Sequence, residues 1–260
     1  MVYVCPMDPD VRSSQPGVCP RCGMRLLAGI PDPADYPMDV AVKPRAPKPR
    51  QTARLEFTVR DPWKNHQVKS FQLVHERLFH LFVVSQDLQF FLHGHPILEP
   101  GGAFRFDIAF PEPGMYRVVG DFYPDGASPQ LVVESIVVPG AAPPPIQLAA
   151  DYSTKSAENL QVELATVPPQ PIAGVKTLMF FRLKPADGLE PYLGAWGHML
   201  AASDDLIDLM HSHPFLGDGG PQIQFNMIFP RARTYRIWVQ FQRKGVVNTA
   251  HFDVPVHALD

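Results

Sequence analysis

His80-Leu81-Phe82-Val83-Val84-Ser85-Gln86-Asp87-Leu88-Gln89-Phe90-Phe91-Leu92-His93-Gly94-His95-Pro96 recurs 118 residues later as His198-Met199-Leu200-Ala201-Ala202-Ser203-Asp204-Asp205-Leu206-Ile207-Asp208-Leu209-Met210-His211-Ser212-His213-Pro214. Three histidines, a serine, an Asp-Leu pair and a proline coincide. Farther on, Phe106-Asp107-Ile108-Ala109-Phe110-Pro111 answers Phe225-Asn226-Met227-Ile228-Phe229-Pro230, and Tyr116-Arg117 answers Tyr235-Arg236. The chain is therefore a duplication, and each copy must be read as one structural unit.

Within a copy the signals are short alternating or apolar runs bounded by proline, glycine and aspartate: Leu55–Val59, Phe104–Phe110, Tyr116–Phe122 and Leu131–Val138 in the first, and Asn159–Thr166, Val175–Leu183, Ile223–Phe229 and Tyr235–Gln242 in the second. Such spacing predicts small antiparallel β-sandwiches of immunoglobulin-like or cupredoxin-like build. Ser203–Leu209, the one helix-like run, reads as a turn by analogy with the first copy. Thirty prolines in 260 residues leave little room for long helices. The 45% hydrophobic content is ample for packed domains.

Composition also divides the chain. All three cysteines fall within the first 22 residues. The expected organisation is a Cys-rich, zinc-ribbon-like module at 1–30, a Pro-rich linker at 31–52, a first β-sandwich at 53–140, a second linker at 141–150 and a second β-sandwich at 151–260. The first linker, rich in proline and charge, reads as a flexible tether.

A net charge of −3 supplies no broad positive field, so nucleic acid is not an expected partner. No apolar run reaches the length of a membrane span. The opening Met1-Val2-Tyr3-Val4-Cys5-Pro6 has neither the basic start nor the apolar core of a signal peptide. As written, the sequence reads as cytoplasmic, and as periplasmic if its start is truncated. Phosphate loops, nucleophile elbows and His-Glu-x-x-His helices are absent. Gly217-Asp218-Gly219-Gly220 reads as a strand connection, and His66, His251 and His257 read as surface or packing residues.

Cys19-Pro20-Arg21-Cys22 aims two thiolates at one point, and Cys5 can return as a third ligand. Met7 and Met24 add thioethers or apolar packing. A core this small needs an ion to fold. Each histidine trio offers a second kind of site. His93 and His95 point to one face of a strand, and pairing through a turn at Gln86–Gln89 places His80 opposite His95. His198, His211 and His213 repeat the arrangement. Imidazoles suit copper, zinc, nickel and iron. The alternative is structural: histidines bonded to backbone or carboxylates, with Asp87 and Asp205 capping the turns. His75 and Asp121 are possible extra donors in the first copy, where the second has Leu193 and Gln240.

Tyr3-Val4-Cys5-Pro6-Met7-Asp8-Pro9 and Pro16-Gly17-Val18-Cys19-Pro20-Arg21-Cys22-Gly23-Met24-Arg25-Leu26 resemble the heavy-metal-binding domain of copper and silver efflux adaptors and metal-exporting P-type ATPases. Asp8 stands where that family commonly has histidine, so the resemblance implies either a more oxygen-rich site suited to zinc or a three-thiolate site suited to Cu(I). Leu73–Leu81 and Tyr192–His198 resemble a group of poorly characterised bacterial proteins associated with metal resistance, often secreted or membrane-associated. The resemblance implies copper or zinc as the ion, and an efflux-system component as a partner. The resulting expectation is an ion-capturing accessory of heavy-metal handling. A metal-dependent oxidoreductase using a three-histidine centre, or a scaffold holding only a structural zinc, is the alternative.

Overall fold

The computed structural model describes residues 3–8, 11–13, 15–29, 34–62, 65–125, 127–216 and 219–259. Gly217 and Asp218 of the glycine cluster lie outside them. Among the described residues every regular element is a strand, and no helix is long and apolar enough to cross a membrane. The chain forms two compact units, 1–144 and 145–260.

Three two-residue strands, β1 (Tyr3–Val4), β2 (Arg12–Ser13) and β3 (Leu27–Ala28), make the small sheet of the cysteine module, in the order β2-β1-β3. The rest of the first unit is a sandwich of eight strands: β4 (Met38–Lys43), β5 (Thr52–Val59), β6 (Phe79–Ser85), β7 (Phe91–Gly94), β8 (Ile97–Leu98), β9 (Phe104–Ala109), β10 (Gly114–Phe122) and β11 (Gln130–Val138). One sheet runs β4-β5-β9-β8 and the other β11-β10-β6-β7, with every pairing antiparallel. Ala53, Leu55, Phe57 and Val59 alternate inward from β5 to meet Phe79, Leu81 and Val83 of β6 in a single core. Since the odd-numbered residues of β6 face that core, period two sends His80 to the opposite face.

The second unit repeats the plan with β12 (Lys155–Ser156), β13 (Gln161–Val167), β14 (Lys176–Lys184), β15 (Leu189–Glu190), β16 (His198–Ser203), β17 (Leu209–Ser212), β18 (Pro214–Leu216), β19 (Gln222–Ile228), β20 (Thr234–Arg243) and β21 (Val246–Pro255). Its sheets run β12-β13-β14-β19-β18 and β15-β20-β16-β17, with β21 also pairing β20. Ser203–Leu209 is the tight connection between β16 and β17, as expected.

Both sandwiches carry a tyrosine corner, a device of immunoglobulin-like folds. The Tyr116 hydroxyl donates to the Glu112 carbonyl at 2.7 Å, and that of Tyr235 to the Arg231 carbonyl at 3.1 Å. In each case the ring sits near the start of the long central strand and closes the turn that feeds it.

The proline-rich stretch 31–52 is not simply a tether. Met38, Val40 and Val42 alternate with Asp39, Ala41 and Lys43, and β4 pairs residue for residue with β5 from Met38↔Val59 to Lys43↔Arg54. Met38 is buried in the sandwich core. Upstream, Gln130 holds the approaching chain: its Oε1 accepts from the Tyr36 amide at 2.9 Å and its Nε2 donates to the Ala34 carbonyl at 3.0 Å. Pro37 precedes the strand and Pro44, Pro47 and Pro49 follow it, so the prolines punctuate a strand without interrupting its ladder.

Candidate metal centres

In the cysteine module, Cys5 sits just after β1 and the Cys19–Cys22 knuckle lies between the bridge residues Val18 and Arg25. The knuckle is closed by the Cys19 amide donating to the Met24 carbonyl at 2.6 Å and the Gly23 amide donating to the Cys19 carbonyl at 2.9 Å. Gly23 has φ +76°, a conformation that favours glycine. Backbone amides also aim at sulfur: Asp8 N–H reaches Cys5 Sγ at 3.2 Å and Arg21 N–H reaches Cys19 Sγ at 3.4 Å. These donors favour thiolates.

The four expected ligands converge. Cys5 and Cys22 Sγ are 3.5 Å apart, and Asp8 Oδ2 lies 3.3 Å from Cys19 Sγ and 3.7 Å from Cys5 Sγ. A tetrahedron of zinc–sulfur and zinc–oxygen bonds has edges of about 3.5–3.8 Å. The donor set therefore suits one thiophilic ion. Burial pushes the Cys5 and Cys22 thiols up from their ordinary value, and the neighbouring sulfurs push Cys22 further. A cation reverses that balance by binding the deprotonated form. Met24 is buried beside Cys5, Cys19 and Leu26.

The histidine trios are built by hairpin register. Leu81↔Gly94 and Phe82↔His93 pair directly, which sets His93 diagonal to His80 and continues to His95 opposite it. Met199↔Ser212 and Leu200↔His211 do the same in the second copy. Turn chemistry fixes both registers. Asp87 Oδ1 accepts from the Ser85 hydroxyl and the Gln89 amide, with Leu88 left-handed at φ 59°. Asp205 does the same for Ser203 and Ile207, with Leu206 at φ 56°. The aspartate caps expected of a purely structural hairpin thus exist, and the imidazoles lie at the far end of the strands from them.

His80, His93 and His95 each offer a ring nitrogen within 4.8 Å of the other two, and so do His198, His211 and His213. His80 Nδ1 and His93 Nε2 are 3.2 Å apart, and His198 Nδ1 and His213 Nε2 are 3.1 Å apart. Tetrahedral metal–imidazole geometry requires about 3.3 Å. The opposite nitrogen of the central ring is anchored in each copy: His80 Nε2–H donates to the Val74 carbonyl at 3.1 Å, His198 Nε2–H to that of Tyr192 at 2.9 Å. A carbonyl holding one ring nitrogen leaves the other as a lone pair aimed into the cluster, the outer-shell arrangement of metal-bound histidine.

The anchoring carbonyls belong to two-residue turns. Val74 bridges Arg77, and Tyr192 bridges Ala195. The central residues His75 (φ 47°), Glu76 (φ 63°), Leu193 (φ 51°) and Gly194 (φ 72°) are all left-handed, the type I′ pattern. Three of these four are not glycine, so each turn stores strain that its surroundings must hold. The signal for this supporting turn in the residues is its shared spacing: Val74 and Tyr192 each stand six residues before the central histidine of their copy. His75 itself packs edge-on at 6.4 Å between ring centres from His80, outside the trio. Asp121 is in register opposite His80, and Gln240 opposite His198. Among the described residues His66, His251 and His257 join no such cluster.

The comparisons with known proteins divide the chain as the duplication does. A family model described as a domain of unknown function (DUF8832) matches residues 34–136 and again 155–258. The chain belongs to this family. Residues 2–28 match the heavy metal binding domain. The first DUF8832 match begins before β4, in agreement with the eight-strand sandwich. No curated protein sequence matches the chain. Solved structures similar to it include the Escherichia coli adhesin FdeC at 12% identity, covering 90% of this chain and 67% of that one with a TM-score of 0.31. The Yersinia pseudotuberculosis adhesin InvE follows at 10% identity, 85% and 60% coverage and a TM-score of 0.27. Salmonella alpha-2-macroglobulin reacted with methylamine has 12% identity, 88% and 15% coverage and a TM-score of 0.30. Likenesses at that level carry no argument about function.

Proposed function

We propose that this DUF8832 protein captures heavy-metal ions, as an accessory of copper or related metal handling. Cys5, Cys19, Cys22 and Asp8 take a soft or borderline ion such as copper or zinc, and the trios His80, His93, His95 and His198, His211, His213 take ions that accept imidazole. The reading rests chiefly on one observation: three sulfurs and a carboxylate lie within 4.8 Å of one another inside a heavy metal binding domain. A component of a metal efflux system, from which ions are received or to which they are passed, is the partner this reading implies.

The test is metal content per chain, measured by elemental mass spectrometry on protein purified without a histidine tag. Wild type is compared with Cys5→Ser/Cys19→Ser/Cys22→Ser and with alanine at each trio. The expected result is a stepwise loss of bound ion with each set. Unchanged content in all three variants would end the reading.

A second reading, an oxidoreductase working at the first trio, draws on three imidazoles that leave a coordination position open. It predicts turnover of oxygen, peroxide or superoxide by metal-loaded protein that disappears in His93→Ala.

A further inference from the structure

The cysteine module does not stand apart from the first sandwich. Val74 and Tyr123 of that sandwich are buried in one apolar cluster with Cys5, Cys19, Met24 and Leu26 of the module. Val74 is 2% exposed and Tyr123 4%. Tyr123 directly follows the β10 strand end at which Asp121 lies opposite His80.

Val74 links the two sites. Its side chain is buried in the same apolar cluster as Cys5 and Cys19, while its carbonyl accepts from His80 Nε2 at 3.1 Å and from the Arg77 amide at 3.0 Å. The residue opens the strained His75-Glu76 turn, whose two left-handed residues leave it little freedom to relax independently. Tyr123 is tied to the same segment, for its carbonyl accepts from the Gln72 amide at 2.8 Å. Drawing Cys5 and Cys19 onto an ion changes the surface on which Val74 rests. Any shift of Val74 moves the carbonyl that sets the direction of the His80 Nδ1 lone pair.

We propose that the cysteine site and the first histidine trio are energetically coupled through the Val74–Arg77 turn, so that an ion at the cysteines strengthens binding at His80, His93 and His95. The inference rests on the reading that both sites hold metal. The physical cause is preorganisation: a filled cysteine site fixes Val74, which fixes the His80 ring before the second ion arrives. The effect is reciprocal in binding free energy. The second trio hangs from the Tyr192–Ala195 turn in the other unit, which contains no cysteine, and serves as the reference.

The experiment uses the full chain in two forms. One carries His198→Ala/His211→Ala/His213→Ala, leaving the first trio; the other carries His80→Ala/His93→Ala/His95→Ala, leaving the second. Each is titrated with Co(II), read by its d–d bands, with the cysteine site filled by one equivalent of Cd(II), whose sulfur charge-transfer absorption reports its seat there, and again without cadmium in a form whose cysteine site is disabled by Cys5→Ser/Cys19→Ser/Cys22→Ser. Cadmium should tighten cobalt binding at the first trio at least about fivefold, the lower range of such couplings, and leave the second unchanged. Val74→Gly, which keeps the carbonyl and removes the packing, should abolish most of the effect; Tyr123→Leu is the companion variant should Val74→Gly not fold. Cobalt binding at the first trio that ignores cadmium, with both ions bound, would overturn the coupling and leave metal capture intact. An equal shift at both trios would also overturn it. No cobalt binding at either trio would remove the reading beneath it as well.

Discussion

Cys5 and Cys22 are thiols raised by burial in a pocket where two backbone amides nevertheless point at sulfur. At neutral pH both hold their protons without an ion, and an ion must displace them. Binding is therefore expected to release about two protons from these residues, with affinity rising by up to about two log units per pH unit. Calorimetry in buffers of different ionisation enthalpy measures the number, and an affinity independent of pH would refute the thiolate assignment. At the first trio, His75 occupies the turn position where the second copy has Leu193, and both are left-handed. His75→Leu is thus compatible with the turn. If His75 supports the first site, this change should lower its Co(II) affinity toward that of the second trio while thermal stability stays constant.

The hairpins and corners that carry the trios are the next level. Tyr116→Phe removes a hydroxyl that donates to Glu112 O and accepts from Glu112 N–H at 3.2 Å. It should cost about 1–2 kcal/mol in denaturant unfolding with an unchanged m value. Tyr235→Phe should cost more, because the one proton of that hydroxyl is shared between the Arg231 carbonyl and the charged Asp208 carboxylate, 2.8 Å away. In the second copy Arg231 bridges Asp205 and Asp208, and it holds the Asp205 carboxyl well below the usual carboxylate range. A carboxylate lowered by folding stabilises above its unfolded value near 4 and loses that contribution as pH falls through the lower folded value. Arg231→Leu should accordingly reduce stability at pH 7 and have little effect near pH 1, as followed by circular dichroism.

At the level of the whole chain, β4 and the docked module decide where the protein can be cut. A chain beginning at residue 34 keeps all eight strands of the first sandwich and uncovers Val74 and Tyr123. It should fold with a lowered unfolding midpoint and retain any ion at the trios. A chain beginning at residue 53 loses β4 and leaves β5 as a naked edge with Leu55 and Phe57 behind it. That protein should aggregate, as unpaired edges do. Light scattering of the two truncations checks both expectations.

The duplication, the all-strand architecture, the Ser203–Leu209 turn and the thiol cluster were legible in the residues, because each depends on local spacing. Period two fixes a strand's faces, a hairpin fixes which histidines meet, and a Cys-x-x-Cys knuckle closes on itself. The alternation of Met38–Lys43 matches that of Gln161–Val167 in the second copy, but the flanking prolines mask it. Other features depended on contacts between distant segments. No spacing rule brings Val74 and Tyr123 onto Cys5 and Cys19, pins Ala34 and Tyr36 to Gln130, or aims the Val74 carbonyl at His80. These follow from which surfaces remain apolar once the sheets have formed, and from buried polar groups needing partners wherever the fold supplies them. The sequence determined the candidate donors and their local grouping, and the tertiary structure alone decided that a cysteine cluster and a histidine cluster share a wall.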